Sequence, residues 1–194
     1  MSAARASWFE QFADVRLDRL VFLDEFGAAT NMTRRYARGP SGQRVAGTVP
    51  HGDWTLVSTI AAMTLRGVVA SASFEGATDT DTFVAFVREA LVPALEPGQV
   101  VVLDNLSVHK APVAAALVEA AGCRLLPLPP YSPDYNPIEM AISKVKALLR
   151  SMAARQTEAL LDAIGVALAS VTPRDARNFI RHCGYDATVQ CKTL

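Results

Sequence analysis

Three carboxylates in this 194-residue chain are placed where they could do chemistry together. Asp24 falls near the end of "RLVFLDEFG" (Arg19 to Gly27), Asp104 near the end of "QVVVLDN" (Gln99 to Asn105), and Glu139 in "LPPYSPDYNPIEM" (Leu128 to Met140). Each aspartate follows a short apolar run of strand length, and the exit of a buried strand is where α/β sheets usually build their sites. Glu139 opens the helix after the next strand. If those strands are neighbours, the three groups converge on one sheet edge, and like charges brought together raise one another's pKa unless a cation sits between them. Hard divalent metals resolve the repulsion. Mg²⁺ takes carboxylate and water oxygens, and two ions about 3.5–4 Å apart can clamp the attacking and leaving oxygens of an in-line phosphoryl displacement. That chemistry cuts and joins nucleic-acid strands.

Each residue also has a reading without chemistry. Asn136 suits a helix N-cap, Pro137 the first helical position and Glu139 the third, where a carboxylate reaches back to the cap. An Asp-Asn pair at a strand end commonly makes a turn. Only the set of three is informative. A glycosidase would hold two carboxylates about 5–9.5 Å apart around a sugar, but it needs aromatic platforms, and aromatic residues are sparse at 7% of the chain.

The elements that must position these groups follow from periodicity. Arg19 to Gly27 reads as a buried strand, and the Gly-, Pro- and Arg-rich stretch from Thr30 to Trp54 as an irregular edge hairpin. Trp54 to Leu65 and Gly67 to Glu75 are β-branched runs joined by a tight turn, hence an antiparallel pair. From Thr78 the period becomes helical through Phe83, Phe86, Val87, Ala90, Leu91 and Leu95, with Thr78 or Asp79 as cap. Gln99 to Asn105 reads as a central strand. A helix then runs from Pro112 to a stop at Gly122, followed by the strand "RLLPLP" and a helix from Pro137 to about Arg150. "TEALLDAIGVALASV" and "PRDARNFIRHCG" are two further helices. This order predicts an α/β fold whose mixed sheet carries helices on both faces.

The helix after Glu139 gathers Ile138, Ala141, Ile142, Val145, Leu149 and Met152 on one face and Glu139, Ser143, Lys146 and Arg150 on another. A carboxylate in line with two cations suits a helix lying along a phosphate backbone, and a solvated face is the plain alternative. Arg174, Arg177 and Arg181 share a face of the last helix. Such local patches matter because the formal net charge is zero, without the global basic signature of a nucleic-acid binder. Three cysteines without a CxxC pair argue against a disulfide framework or a cysteine zinc site. No signal-peptide h-region or membrane-length apolar run is present, so a cytoplasmic protein is expected.

The stretches "LVFLDEFG", "VVLDNLSVHK" and "LPPYSPDYNPIEMAISKVKALLR", in this order, resemble the catalytic domain of transposases of the IS630 group in the IS630/Tc1/mariner superfamily. Thirty-four residues separate Asp104 from Glu139, the spacing typical of that superfamily. The resemblance runs from about Arg19 to Asp186. It implies an RNase H-like five-stranded sheet, with residues 1–18 as a lead-in, 19–186 as the catalytic domain and 187–194 as a tail. It also implies Asp24, Asp104 and Glu139 as a metal-binding triad for Mg²⁺, with Mn²⁺ as a substitute. Asn105, His109, Ser143, Lys144, Lys146 and Arg150 are then expected around the metals or against DNA. The implied partners are double-stranded DNA, as transposon ends and target, and a second copy of the chain at the nucleoid.

Two features depart from the family pattern. Phe26 stands where relatives carry a small hydroxyl residue, and Ile142 where an aromatic residue often precedes the Ser-Lys pair. Full-length members begin with helix-turn-helix domains, for which there is no room before Arg19. The chain is therefore expected to be the second frame of a split transposase, served by an upstream helix-turn-helix segment, or a truncated remnant. Two functions stay open at this point: a metal-dependent strand transferase, or a catalytically silent fragment that dimerises with or regulates intact transposase. A ribonuclease H would share the fold, but the Tyr-Ser-Pro-Asp-Tyr-Asn-Pro-Ile-Glu stretch does not suggest it.

Overall fold

The computed structural model describes residues 5, 7–12, 15–104 and 111–185. Its centre is a five-stranded sheet of β1 (Leu20–Ala29), β2 (Leu56–Thr64), β3 (Gly67–Glu75), β4 (Val100–Leu103) and β5 (Arg124–Pro127), in the order β3-β2-β1-β4-β5. β1, β2 and β3 pair antiparallel, whereas β4 joins β1 and β5 joins β4 in parallel, each by a helical crossover. A parallel neighbour needs such a crossover because no short turn can reverse the chain twice.

Alternation along β1 and β4 divides the interior in two. Leu20, Phe22, Phe26 and Ala28 of β1, with Val100 and Val102 of β4, face one core; Val21, Leu23, Val101 and Leu103 face the other. The first core is covered by α3 (Ile138–Met152), α4 (Thr157–Ala169) and α5 (Pro173–His182). The second is covered by α1, which runs from Thr80–Phe86 through a π turn at Val87–Leu91 into Val92–Ala94, and by α2 (Pro112–Ala120). Pro93 accounts for the π turn, since it has no N–H for the carbonyl four residues back and its ring needs room there. Asp79 caps α1, its side chain accepting from the Thr82 N–H at 2.8 Å.

One expectation is corrected. The stretch between Thr30 and Trp54 forms no strand: from residue 33 to 54 it is irregular and almost wholly exposed, with Tyr36 90% accessible, so its Gly, Pro and Arg content makes a loop rather than an edge hairpin. Before Arg19, Trp8 is buried in the first core and donates its indole N–H to the Tyr185 hydroxyl at 3.0 Å. No helix is long and apolar enough to cross a membrane among the described residues.

Candidate active site

The register of the central strands brings the two aspartates level. β1 and β4 pair as Leu20 with Val100, Val21 with Val101 and Phe22 with Val102. Asp24 and Asp104 each lie two positions beyond the Phe22–Val102 pair, on neighbouring chains about 4.8 Å apart in the sheet. Both follow the alternation of Phe22 and Val102 toward the face that α3 covers. Glu139, at the start of α3, completes the set. Asp24, Asp104 and Glu139 line one open cavity of about 470 Å³, walled on its far side by Leu128 to Pro133 and Asn136.

The three groups differ in surroundings. Asp24 is 8% exposed, while Asp104 is half-buried and Glu139 exposed. Burial, then the neighbouring Glu139 charge, pushes the Asp24 carboxyl up to about 8, with Asp104 adding a smaller push and the Glu25 N–H, 2.7 Å from Oδ1, opposing it. Among the described residues no three His, Cys, Asp or Glu side chains close around a single point as metal ligands do. The three carboxylates share one cavity, and the Asp24 carboxyl is close enough to Glu139 for a side-chain hydrogen bond between them to add to its upward shift. Three hard oxygen donors on one open cavity fit Mg²⁺ or Mn²⁺, and a nearby cation would offset the burial and repulsion that raise the Asp24 carboxyl.

Asn136 corrects the capping expectation. Pro137 occupies the N-cap position of α3 and no side chain caps that helix. The Asn136 amide instead turns into the site, where Nδ2 donates to Asp24 Oδ2 at 3.1 Å and, more weakly, to the Leu23 carbonyl at 3.4 Å. Its own carbonyl accepts from the Glu139 N–H at 3.1 Å. One residue thus ties Asp24 to Glu139. Asn136 Oδ1 is buried without a hydrogen-bond partner. Its type and its place three residues before Glu139 were visible in sequence, but its partner on β1 was not.

The remaining candidates separate along α3. Ser143 is exposed, Lys146 and Arg150 are half-buried, and Lys146 Nζ lies 5.8 Å from the centroid of the Phe26 ring. Phe26, the residue out of family pattern, is therefore a core ring that carries a lysine over one face. Lys144 does not join this stripe: its ammonium donates to Asp175 Oδ2 at 2.8 Å and to the Ser170 carbonyl at 2.7 Å, which ties α3 to α5. Arg174, Arg177 and Arg181 are exposed along α5. Asn105 and His109 lie outside the described residues. His51, in the loop before β2, is exposed.

Comparison with solved structures places this fold among known ones. The chain is similar to a Mos1 transposase paired-end complex with left transposon end, at 18% identity and a TM-score of 0.67 over 91% of this chain and 56% of that one. It is similar to a pre-cleavage Mos1 transpososome, at 15% identity and a TM-score of 0.69 over 97% and 60%. It is also similar to the catalytic domain of Mos1 mariner transposase, at 15% identity and a TM-score of 0.59 over 96% and 84%. The chain thus spans less than two thirds of the Mos1 chains in those two complexes. These likenesses show the RNase H-like fold, and the neighbours accord with the IS630/Tc1/mariner resemblance. No curated protein matches the chain. A family model described as DDE superfamily endonuclease matches residues 19–161, from the lead of β1 into α4 and across all three carboxylates, and the chain belongs to that family.

Proposed function

We propose that this chain is the catalytic domain of a DNA transposase that nicks double-stranded DNA at transposon ends and joins the freed 3′-hydroxyl to target DNA. The observation that carries the reading is the single cavity shared by Asp24, Asp104 and Glu139 at the exit of the two central parallel strands. Asp24, Asp104 and Glu139 would hold Mg²⁺, or Mn²⁺ in its place; two of the similar structures are Mos1 paired-end complexes with Mn and with Mg. Bound there, the ions supply charge stabilisation for phosphoryl transfer.

The chain's own residues do the positioning. Asn136 fixes the Asp24 carboxylate against the start of α3, so that one movement of the helix carries both groups. Lys146 and Arg150 continue the line of Glu139 along α3 and would contact backbone phosphates, which orient a duplex without reading its sequence. The arginine face of α5 would extend that contact. A second copy of the chain, an upstream helix-turn-helix segment for end recognition, and a place of action at the nucleoid in the cytoplasm complete the proposal.

The test is nicking of supercoiled plasmid by purified chain with Mg²⁺ or Mn²⁺, beside Asp104→Ala and Glu139→Ala variants. Metal-dependent nicking that both variants lose supports the proposal. A folded wild-type chain that nicks under neither metal contradicts it and favours the silent regulatory fragment.

A further inference from the structure

The wall of the catalytic cavity is held from behind by residues far away in sequence. Arg5 donates to the Tyr131 carbonyl at 3.1 Å, to Ser132 Oγ at 2.8 Å and to both carboxylate oxygens of Asp134 at 2.9 and 2.5 Å. The guanidinium also lies 4.4 Å from the centroid of the Tyr135 ring. This two-pronged pairing, which matches planar guanidinium to carboxylate, keeps the Asp134 carboxyl below its usual range. Trp8 stacks parallel to Tyr135 with centroids 6.5 Å apart, and its indole N–H meets the Tyr185 hydroxyl, which in turn donates to the Tyr135 carbonyl at 2.8 Å.

What these contacts grip is the path from β5 to Glu139. Tyr131 is held at φ 55, a left-handed conformation that non-glycine residues avoid. The 3₁₀ turn Pro133–Tyr135 follows, then Asn136 with its amide on Asp24, then Glu139. Within the turn the Tyr135 N–H donates to the Ser132 carbonyl, the Asn136 N–H to the Pro133 carbonyl, and the Ser132 hydroxyl to the Pro130 carbonyl. Such a short turn has few bonds of its own, and Arg5 and Trp8 grip it just before Asn136 and Glu139.

We propose that Arg5 and Trp8 are positioning residues for the carboxylate site: their docking on Tyr131 to Tyr135 sets the placement of Asn136 and Glu139, and release of this strap loosens metal binding and slows cleavage. The inference rests on the metal-dependent function proposed above. It makes the segment that contains residues 5–8 a point from which anything pulling on it would reach the site.

The experiment uses Arg5→Ala, Arg5→Lys, Trp8→Phe and the Arg5→Ala/Asp134→Ala double variant of the whole chain, each checked for an intact thermal transition. DNA-free Mn²⁺ affinity is read by electron paramagnetic resonance, hydrogen exchange at the Tyr135, Asn136 and Glu139 amides by mass spectrometry, and nicking by its kcat and KM. Arg5→Ala is expected to speed exchange at those amides and to weaken Mn²⁺ binding about tenfold, the range seen when groups behind metal ligands are removed. It is expected to lower kcat with the KM for DNA unchanged, and the double variant should be no worse than Arg5→Ala alone. Trp8→Phe, which removes the indole N–H and shrinks the ring stacked on Tyr135, should show an effect of the same kind. Unchanged exchange and Mn²⁺ affinity in Arg5→Ala would overturn the proposal, as would a raised KM at constant kcat, which marks a DNA contact. If the wild type binds Mn²⁺ yet nicks no DNA, the functional reading fails, while exchange and Mn²⁺ affinity still decide the strap.

Discussion

Replacing Asp24 by Asn should make the metal-free protein more stable at neutral and alkaline pH. The Asp24 carboxyl is pushed up to about 8 from an ordinary 3.8, chiefly by burial and then by Glu139. A group raised on folding adds its full stability below its unfolded pKa and loses it as pH rises through the folded value. The shift is about 4 pH units, which at about 1.4 kcal/mol a unit sets a ceiling of about 6 kcal/mol on that loss. Interaction with Glu139 and Asp104 divides the loss among three groups, so a few kcal/mol is the expected size. Urea unfolding of chelator-treated protein between about pH 4 and about pH 8.5 measures it directly. Wild-type stability should fall across this window, Asp24→Asn should remove most of the fall, and Mg²⁺ should restore the wild type at the alkaline end but not the variant. A wild type whose stability is flat with pH, or a variant with the same slope, would refute the reasoning.

Asn136→Ala removes a buried donor from Asp24, and a hydrogen bond to a charged group is worth about 1.5–3 kcal/mol; the loss should appear in unfolding with Mg²⁺ present and shrink at acid pH without it. Lys146→Met should raise the KM for DNA and flatten its dependence on salt, whereas Lys144→Met should leave that KM alone and lower the thermal midpoint by opening the α3–α5 lock. The Lys144 ammonium and Thr172 hold the Asp175 carboxyl below its ordinary range, so the stabilisation is present above that range and lost as pH falls; Lys144→Met should therefore make the acid limb of stability shallower. Gly67→Ala should destabilise by more than about 1 kcal/mol, because Gly67 has φ 103 and an added Cβ would meet the Val171 carbonyl oxygen at 2.6 Å. Thermal melts of the variant check this.

Local periodicity made much of this molecule readable. Val100 to Leu103 is apolar throughout because β4 is covered on both faces, and the buried face of α3 is the Ile138, Ala141, Ile142, Val145, Leu149 set that helical spacing marks. That Asp24, Asp104 and Glu139 would line one cavity was legible because strand exits place carboxylates at a known edge. Long-range partners were not legible. Arg5 meets Asp134 across 129 positions and Trp8 meets Tyr185 across 177, and no local pattern encodes such contacts. Lys144 and Lys146 look equivalent in sequence, yet two positions turn the helix by about 200°, which sends one toward α5 and the other over Phe26. Asn136 has the residue type of a cap, and only the folded chain shows that Asp24 is its partner.

The most direct test of the central claim is anomalous diffraction from crystals of the chain soaked with Mn²⁺. The account predicts Mn²⁺ density within coordination distance of Asp24 and Asp104, with Glu139 completing the ligands, and its disappearance in crystals of Asp104→Ala. Ordered crystals that show no anomalous density in that cavity, or show it only at surface carboxylates elsewhere, would contradict the claim that these three residues form one metal site.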